Sequence, residues 1–181
     1  TRDIAFRFLD RVTPMKGAGR VAVCDINHAM LDEGWKRAGK RKDRERVSFT
    51  CGDAQSLPFP DRSFDAYTIA FGIRNVTDIP MALRDAYRVL RPGGRFLCLE
   101  FSKVDVPVLA ELSDAWSFNA IPALGQVLAN DRDSYQYLVE SIRRFPPQAQ
   151  FAKMIEEAGF AQVKVRNLTG GIVAMHSGWK I

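Results

Sequence analysis

Residues 64–102, FDAYTIAFGIRNVTDIPMALRDAYRVLRPGGRFLCLEFS, decide the fold. Residues 64–71 are short, apolar and rich in β-formers, the composition of a strand covered on both faces. Gly72-Ile73-Arg74-Asn75 then interrupts it with a charge and an amide. From Asp78 onward, Ile79, Ala82, Leu83, Ala86, Val89 and Leu90 recur at helical spacing, with Arg84, Asp85 and Arg88 between them. Pro92-Gly93-Gly94 is the expected stop of that helix, and a second buried strand is expected over residues 95–101. Two strands joined by a crossover helix make a βαβ unit, so the strands run parallel. In such sheets ligands sit beyond the carboxyl ends of the strands, which places Gly72, Arg74, Asn75, Glu100 and Ser102 at the candidate site.

The flanking segments extend this alternation. Residues 4–12 (IAFRFLDRV) read as the body of a helix beginning at or before residue 1, with Thr1 or Asp3 suited to its cap. Residues 20–24 (RVAVC) form a strand ending in Asp25, and residues 27–38 have helical spacing through Met30, Leu31 and Trp35. A third strand, 47–51, runs into Gly52-Asp53-Ala54, and residues 57–61 make a turn-rich link. After Ser102 the alternation stops. Residues 106–137 are apolar and aromatic and read as helical pieces broken by Pro107, Pro122 and Gly125, either ordinary core or a wall for an apolar ligand tail. Helices follow at 134–142 and 148–158, the second ended by Gly159. A strand at 162–167 turns at Gly170-Gly171 and returns over 172–180. The pattern predicts one α/β domain over residues 1–181, a doubly wound, mostly parallel sheet with a C-terminal antiparallel hairpin. A dinucleotide-binding dehydrogenase needs a second βαβαβ half, for which the chain has no room.

Composition narrows the function classes. The chain has 181 residues, 46% hydrophobic and 26% charged, ordinary for a globular protein, and no apolar run approaches a membrane span. Lys36, Arg37, Lys40, Arg41, Lys42, Arg44 and Arg46 face only Asp43 and Glu45 in the same window, a net of +5 that equals the charge of the whole chain. The remainder is neutral, so a distributed nucleic-acid surface is not indicated. The window is a solvated helix end and loop, or else a contact for anionic lipid or a partner protein. Cys24, Cys51 and Cys98 are expected as reduced core cysteines. His28 and His176 lack ligand-like spacing, so no metal site is expected. The chain carries no initiator Met and no signal-like start, and its N-terminus reads as a cut end.

Two acids, Asp25 and Asp53, end successive strands. An acid about 20 residues after a first βα turn commonly accepts hydrogen bonds from ribose hydroxyls, and Asp25 lies 24 residues after Thr1. Asp53, followed by the small Ala54, can face an adenine amino group; the alternative is that both acids merely end strands in solvent. VCDINHAML, GDAQSLPF, FDAYTIAFGIRNVTD, RVLRPGGRFLCLEFS, SYQYLVESIRRFP and HSGWK resemble the ubiquinone/menaquinone biosynthesis C-methyltransferases, class I S-adenosylmethionine (SAM) enzymes that methylate polyprenyl benzoquinols. The resemblance runs from Asp3 to Ile181. It implies a Rossmann-like SAM methyltransferase fold, with SAM as cofactor contacted by Thr1, Asp25, Asp53 and Ala54. It also implies a preceding strand and a Gly-Gly-Thr-Gly-Asp loop, of which this chain begins at Thr1 with Arg2 at the last glycine position; the first strand and Gly-rich loop are thus expected to be missing. A polyprenyl benzoquinol substrate, quinone-biosynthesis partner subunits, peripheral membrane contact and no nucleic acid follow from the resemblance. So does location in a bacterial cytoplasm or on the matrix side of the mitochondrial inner membrane.

Methylating a ring carbon needs electron density, which ionising a quinol hydroxyl supplies. A phenol of pKa near 10 is about one part in a thousand ionised at pH 7, and lowering that pKa by about 3 units takes roughly 4 kcal/mol of phenolate stabilisation. A guanidinium supplies part of it. Arg74 is the candidate catalytic residue, with Asn75 orienting the oxygen or the sulfonium; the bland alternative for Arg74 is a structural ion pair. His176 is a weaker candidate base and otherwise a packed histidine. Two rival functions remain at this level. A nucleic-acid methyltransferase lacks support, since neither an Asn/Asp-Pro-Pro-aromatic motif nor a Pro-Cys pair is present. A catalytically silent scaffold subunit is the other.

Overall fold

A computed structural model describes residues 2–12, 19–102 and 132–181. In chain order its elements are α1 (Arg2–Val12), β1 (Val21–Asp25), α2 (His28–Ala38), β2 (Val47–Cys51), β3 (Phe64–Ala70) and α3 (Ile79–Val89). They continue with β4 (Leu90–Phe101), α4 (Arg132–Arg144), α5 (Gln148–Glu157), β5 (Ala161–Leu168) and β6 (Val173–Trp179). β1 pairs with β2 and β3 with β4, both in parallel. β6 lies antiparallel between β4 and β5, giving the order β3-β4-β6-β5 and the expected C-terminal hairpin. Among the described residues no strand pairing joins β1–β2 to β3–β4. Residues 106–131 of the apolar segment, and Thr1, lie outside the described residues.

The α3 helix shows how local sequence sets the frame. Asp78 caps it by accepting the Met81 backbone N–H at 2.8 Å, and Pro80 occupies the first turn, where its missing N–H costs nothing. Ala82, Leu83, Ala86 and Val89 form the buried stripe. Of these, Leu83 and Ala86 join Phe96, Cys98, Phe151 and Ile155 in the main core cluster. The helix ends at Val89, earlier than the Pro-Gly-Gly stop. Leu90 is already extended, fully buried and paired with Phe64, where the sheet offers it a partner, and Pro92 disfavours a helical Arg91 that would continue the helix. Gly93 then takes φ +80°, where a side chain would be strained, and donates to the Lys180 carbonyl.

Three expectations are corrected. β3 is not covered on both faces: Phe64, Tyr67 and Ile69 pack against the core, whereas Asp65, Ala66 and Thr68 are exposed. Cys98 is a core cysteine and Cys24 is half-buried, but Cys51 is exposed, because β2 ends in solvent at that position. Part of the basic window is structural rather than solvated. Arg41 grips Asp10 of α1 and Asp43, and Arg46 Nε donates to the Gly19 carbonyl at 3.0 Å. Among the described residues no helix is long and apolar enough to cross a membrane.

His176, on β6, is a packed histidine. It is 1% exposed, edge-on to Phe151, with Nε2 3.3 Å from the Gln148 carbonyl. Among the described residues its Nδ1 has no hydrogen-bond partner. Burial holds its pKa below the ordinary value of 6.5, so the native state resists a proton that the unfolded chain accepts. Stability is therefore full above about pH 6.5 and falls as pH drops, by up to about 1.4 kcal/mol per pH unit. Urea midpoints between pH 7.5 and 5.5 test this. His176→Leu should flatten the dependence, and an unchanged slope would assign it to other groups.

Candidate active site

The carboxyl ends of β1 and β2 lie side by side, with Asp25 paired to Cys51 and the Gly52 N–H donating to the Asp25 carbonyl at 3.2 Å. Asp25 Oδ1 accepts the Asn27 N–H at 2.9 Å, a local turn that aims the carboxylate off the strand end while α2 starts at the Asn27 cap. Ile26, between them, is an exposed aliphatic side chain. It offers an apolar face beside the carboxylate, a feature the sequence pattern did not single out. Gly52 has no room for a side chain, since a Cβ would stand 2.6 Å from Pro58 Cδ. That close packing lets the chain turn straight into Asp53 and Ala54. Asp53 Oδ1 accepts the Gln55 backbone N–H at 2.9 Å, and Oδ2 accepts Gln55 Nε2 at 3.0 Å. Burial and the neighbouring acid Asp25 push the Cys24 thiol up to about 11, so it stays protonated.

The other half of the site is the loop after β3. Phe71 sits at φ 53°, a left-handed conformation that strains a bulky residue, with its ring 4.8 Å from Phe101. Residues Ile73–Asn75 form one 3-10 turn, with Ile73 buried as its anchor. Arg74 is fixed from three sides. Nη1 donates to Glu100 Oε1 at 3.0 Å and to the Phe71 carbonyl at 2.6 Å, and Nε donates to Ser141 Oγ at 3.2 Å. Glu100 is 1% exposed and its Oε1 also accepts the Phe101 N–H at 2.9 Å. Arg74 is thus a buried ion-pair member and, in the same geometry, a locked guanidinium whose Nη2 makes no hydrogen bond among the described residues. Asn75 Oδ1 accepts the Tyr137 hydroxyl at 3.3 Å, which brings α4 to the same loop.

α3 ties the two halves together. Arg88 donates to the carbonyls of Leu57 and Phe59 at 2.9 and 2.7 Å, and Asp85 Oδ2 accepts the Leu57 N–H at 2.6 Å. Asp85 and Arg88 also pair with each other at 2.7 Å, which lowers the Asp85 pKa despite its partial burial. The structure brings Asp25, Asp53 and Ala54 to one pair of strand ends and Arg74 with Asn75 to the next; Thr1 lies outside the described residues. Sequence reasoning missed Gln55 and Ser141, each of which acts through a contact between distant segments. The acceptor set fits an adenosine: two carboxylates with spare lone pairs for a diol and an amino group, and the exposed aliphatic Ile26 next to Asp25 in the chain.

Comparison with known proteins bears on what such a site holds. The sequence pattern of the ubiE/COQ5 methyltransferase family matches residues 1–180. A ubiquinone/menaquinone biosynthesis C-methyltransferase UbiE of Paracoccus denitrificans is 61% identical over the whole chain, which spans 71% of that relative. The protein of the same name from Methylobacterium nodulans is 62% identical over the whole chain, which spans 70% of it. Among solved structures, a SAM-dependent methyltransferase from Thermotoga maritima superposes with TM-score 0.64 at 19% identity, covering 99% of this chain and 90% of its own. One from Aquifex aeolicus gives TM-score 0.64 at 15% identity, with 99% and 78% covered. These structures show the class I SAM methyltransferase fold.

Proposed function

The chain belongs to the ubiE/COQ5 methyltransferase family, and from that membership we propose that it methylates a ring carbon of a polyprenyl benzoquinol or of demethylmenaquinol. The observation that supports this reading is that Asp25 and Asp53 follow the carboxyl ends of the paired strands β1 and β2, and Arg74 that of β3: two acids suited to a nucleoside and one cation suited to a phenolate. SAM, the methyl donor of the family, supplies an electrophilic methyl group when bound. Asp25 would hold the ribose diol, and Asp53 with Ala54 the adenine edge. Arg74 would stabilise the quinol oxyanion through Nη2, and Asn75 would orient that oxygen. Methyl transfer from sulfur to carbon needs little beyond alignment, charge stabilisation and exclusion of water. A polyprenyl tail is hydrocarbon, so the acceptor reaches the site from a bilayer, and the bacterial relatives support the cytoplasmic face as the place of reaction.

Two measurements test the reading together. Isotope-labelled methyl from SAM should appear on the ring carbon of a short-tailed benzoquinol or demethylmenaquinol. Asp25→Ala should weaken SAM binding by about 1.5–3 kcal/mol, the range for hydrogen bonds to a charged group. Unchanged affinity in calorimetry would remove Asp25 from the ribose. A folded chain that binds no SAM at all would favour the scaffold function.

A further inference from the structure

Besides the contacts of Asp85 and Arg88, one side chain runs directly from the Asp53 turn to the start of α3. Gln55 lies two residues beyond Asp53, and its amide is used at both ends. Nε2 donates to Asp53 Oδ2 at 3.0 Å, and Oε1 accepts the Asp78 backbone N–H at 2.7 Å. The orientation of the amide is fixed by its partners, because a carboxylate only accepts and a backbone N–H only donates. Neither glutamate nor an apolar residue can serve both.

The Asp78 contact has a local cause. In a capping box the third helical residue returns a hydrogen bond to the cap's own N–H. In α3 that position is Met81, which has no acceptor at the required place, so the cap N–H stays open to a partner from elsewhere. Gln55, 23 residues upstream, fills it. The cap residue also closes the loop that carries Arg74 and Asn75. Asp53 is therefore connected through one amide to the start of α3, while Asp85 and Arg88 of the same helix hold residues 57–61 behind it.

We infer that Gln55 is a positioning residue that sets the register between the adenine-binding turn and the Arg74–Asn75 loop, so that occupancy at Asp53 is felt at the acceptor side. This rests on reading Asp53 as an adenosine contact and Arg74 with Asn75 as the acceptor loop. Gln55 touches neither reacting group. It holds the two loops that do.

Amide hydrogen exchange on the full chain tests this without turnover, using S-adenosylhomocysteine as the probe. In the wild type, the ligand should slow exchange at residues 52–55 and also at residues 74–82. In Gln55→Leu, protection at 52–55 should persist and protection at 74–82 should vanish. Protection reaching 74–82 in Gln55→Leu would overturn the inference. A wild type in which neither stretch responds would remove the cofactor reading, and the inference with it. Kinetics give a second arm. Gln55→Leu should lower kcat by about 10–100-fold, the scale of a misplacement near 1 Å, with SAM affinity within about 3-fold. An equal loss in kcat and SAM affinity would instead make Gln55 a mere support for Asp53. Should Gln55→Leu fail to fold, Gln55→Glu keeps the acceptor for Asp78 and turns a donor into a charge facing Asp53. Like-charge repulsion should part it from Asp53, so ligand protection should persist at 52–55 and vanish at 74–82, as in Gln55→Leu. Protection reaching 74–82 there would also overturn the inference.

Discussion

Glu100→Ala should destabilise the fold by about 3–5 kcal/mol, the scale of breaking one partner out of a buried ion pair. Glu100 is 1% exposed, and its two oxygens serve Arg74 Nη1, the Arg74 N–H and the Phe101 N–H. Removing the carboxylate leaves a guanidinium, itself only 10% exposed, without its counter-charge. Against a typical total of about 5–15 kcal/mol, such a loss brings the chain close to its folding limit. The urea midpoint should fall with an unchanged slope, marking loss of stability rather than a change in the unfolded state. The double variant Arg74→Leu/Glu100→Leu is the instructive control. Apolar residues of similar volume often restore what a broken pair loses, so the double variant should recover most of the stability and none of the turnover. A Glu100→Ala loss under about 1 kcal/mol, within the range of a solvated pair, would mean that water replaces the carboxylate and that the pair does not fix the loop.

That test separates two roles which the sequence left as alternatives for Arg74, a structural ion pair and an oxyanion donor. The structure shows the ion pair, and the pair is what makes the guanidinium rigid. The βαβ unit was legible because its signals are local: apolar periodicity, the Asp78 cap and the Pro-Gly-Gly turn all act within a few residues. The antiparallel hairpin followed for the same reason, from alternation around Gly170-Gly171. The end of α3 was misplaced because Leu90 is equally at home in a buried helix face and a buried strand, and its pairing with Phe64 is non-local. Exposure along β3 and at Cys51 was misjudged because it depends on what distant segments pack over each side chain, which local composition does not encode. At the site, strand-end acids stood out by their order along the chain. Gln55 and Ser141 did not, because each matters only through a partner 23 or 67 residues away.

Arg74→Lys should lower kcat by roughly 10²–10³ while SAM affinity stays within a few-fold, a loss typical of one oxyanion donor. Lysine keeps the charge that Glu100 requires, so the fold survives and the comparison reads chemistry rather than unfolding. What lysine cannot keep is the planar fork that reaches Ser141, Phe71 and Glu100 at once and still presents a further nitrogen. The pH dependence identifies the role. If Arg74 acts by making the quinol easier to ionise, the variant's deficit is a deficit of phenolate, and alkali can replace it. The rate of Arg74→Lys should then climb close to tenfold per pH unit between about pH 7 and 9, below the phenol pKa near 10. The wild type, whose acceptor would be about half ionised at pH 7 if its pKa is lowered by about 3 units, should gain no more than about twofold over the same range. Equal turnover in wild type and variant would take Arg74 out of the reaction. A large loss that stays flat with pH would leave Arg74 as the residue that shapes the loop, and would pass the oxyanion to another donor.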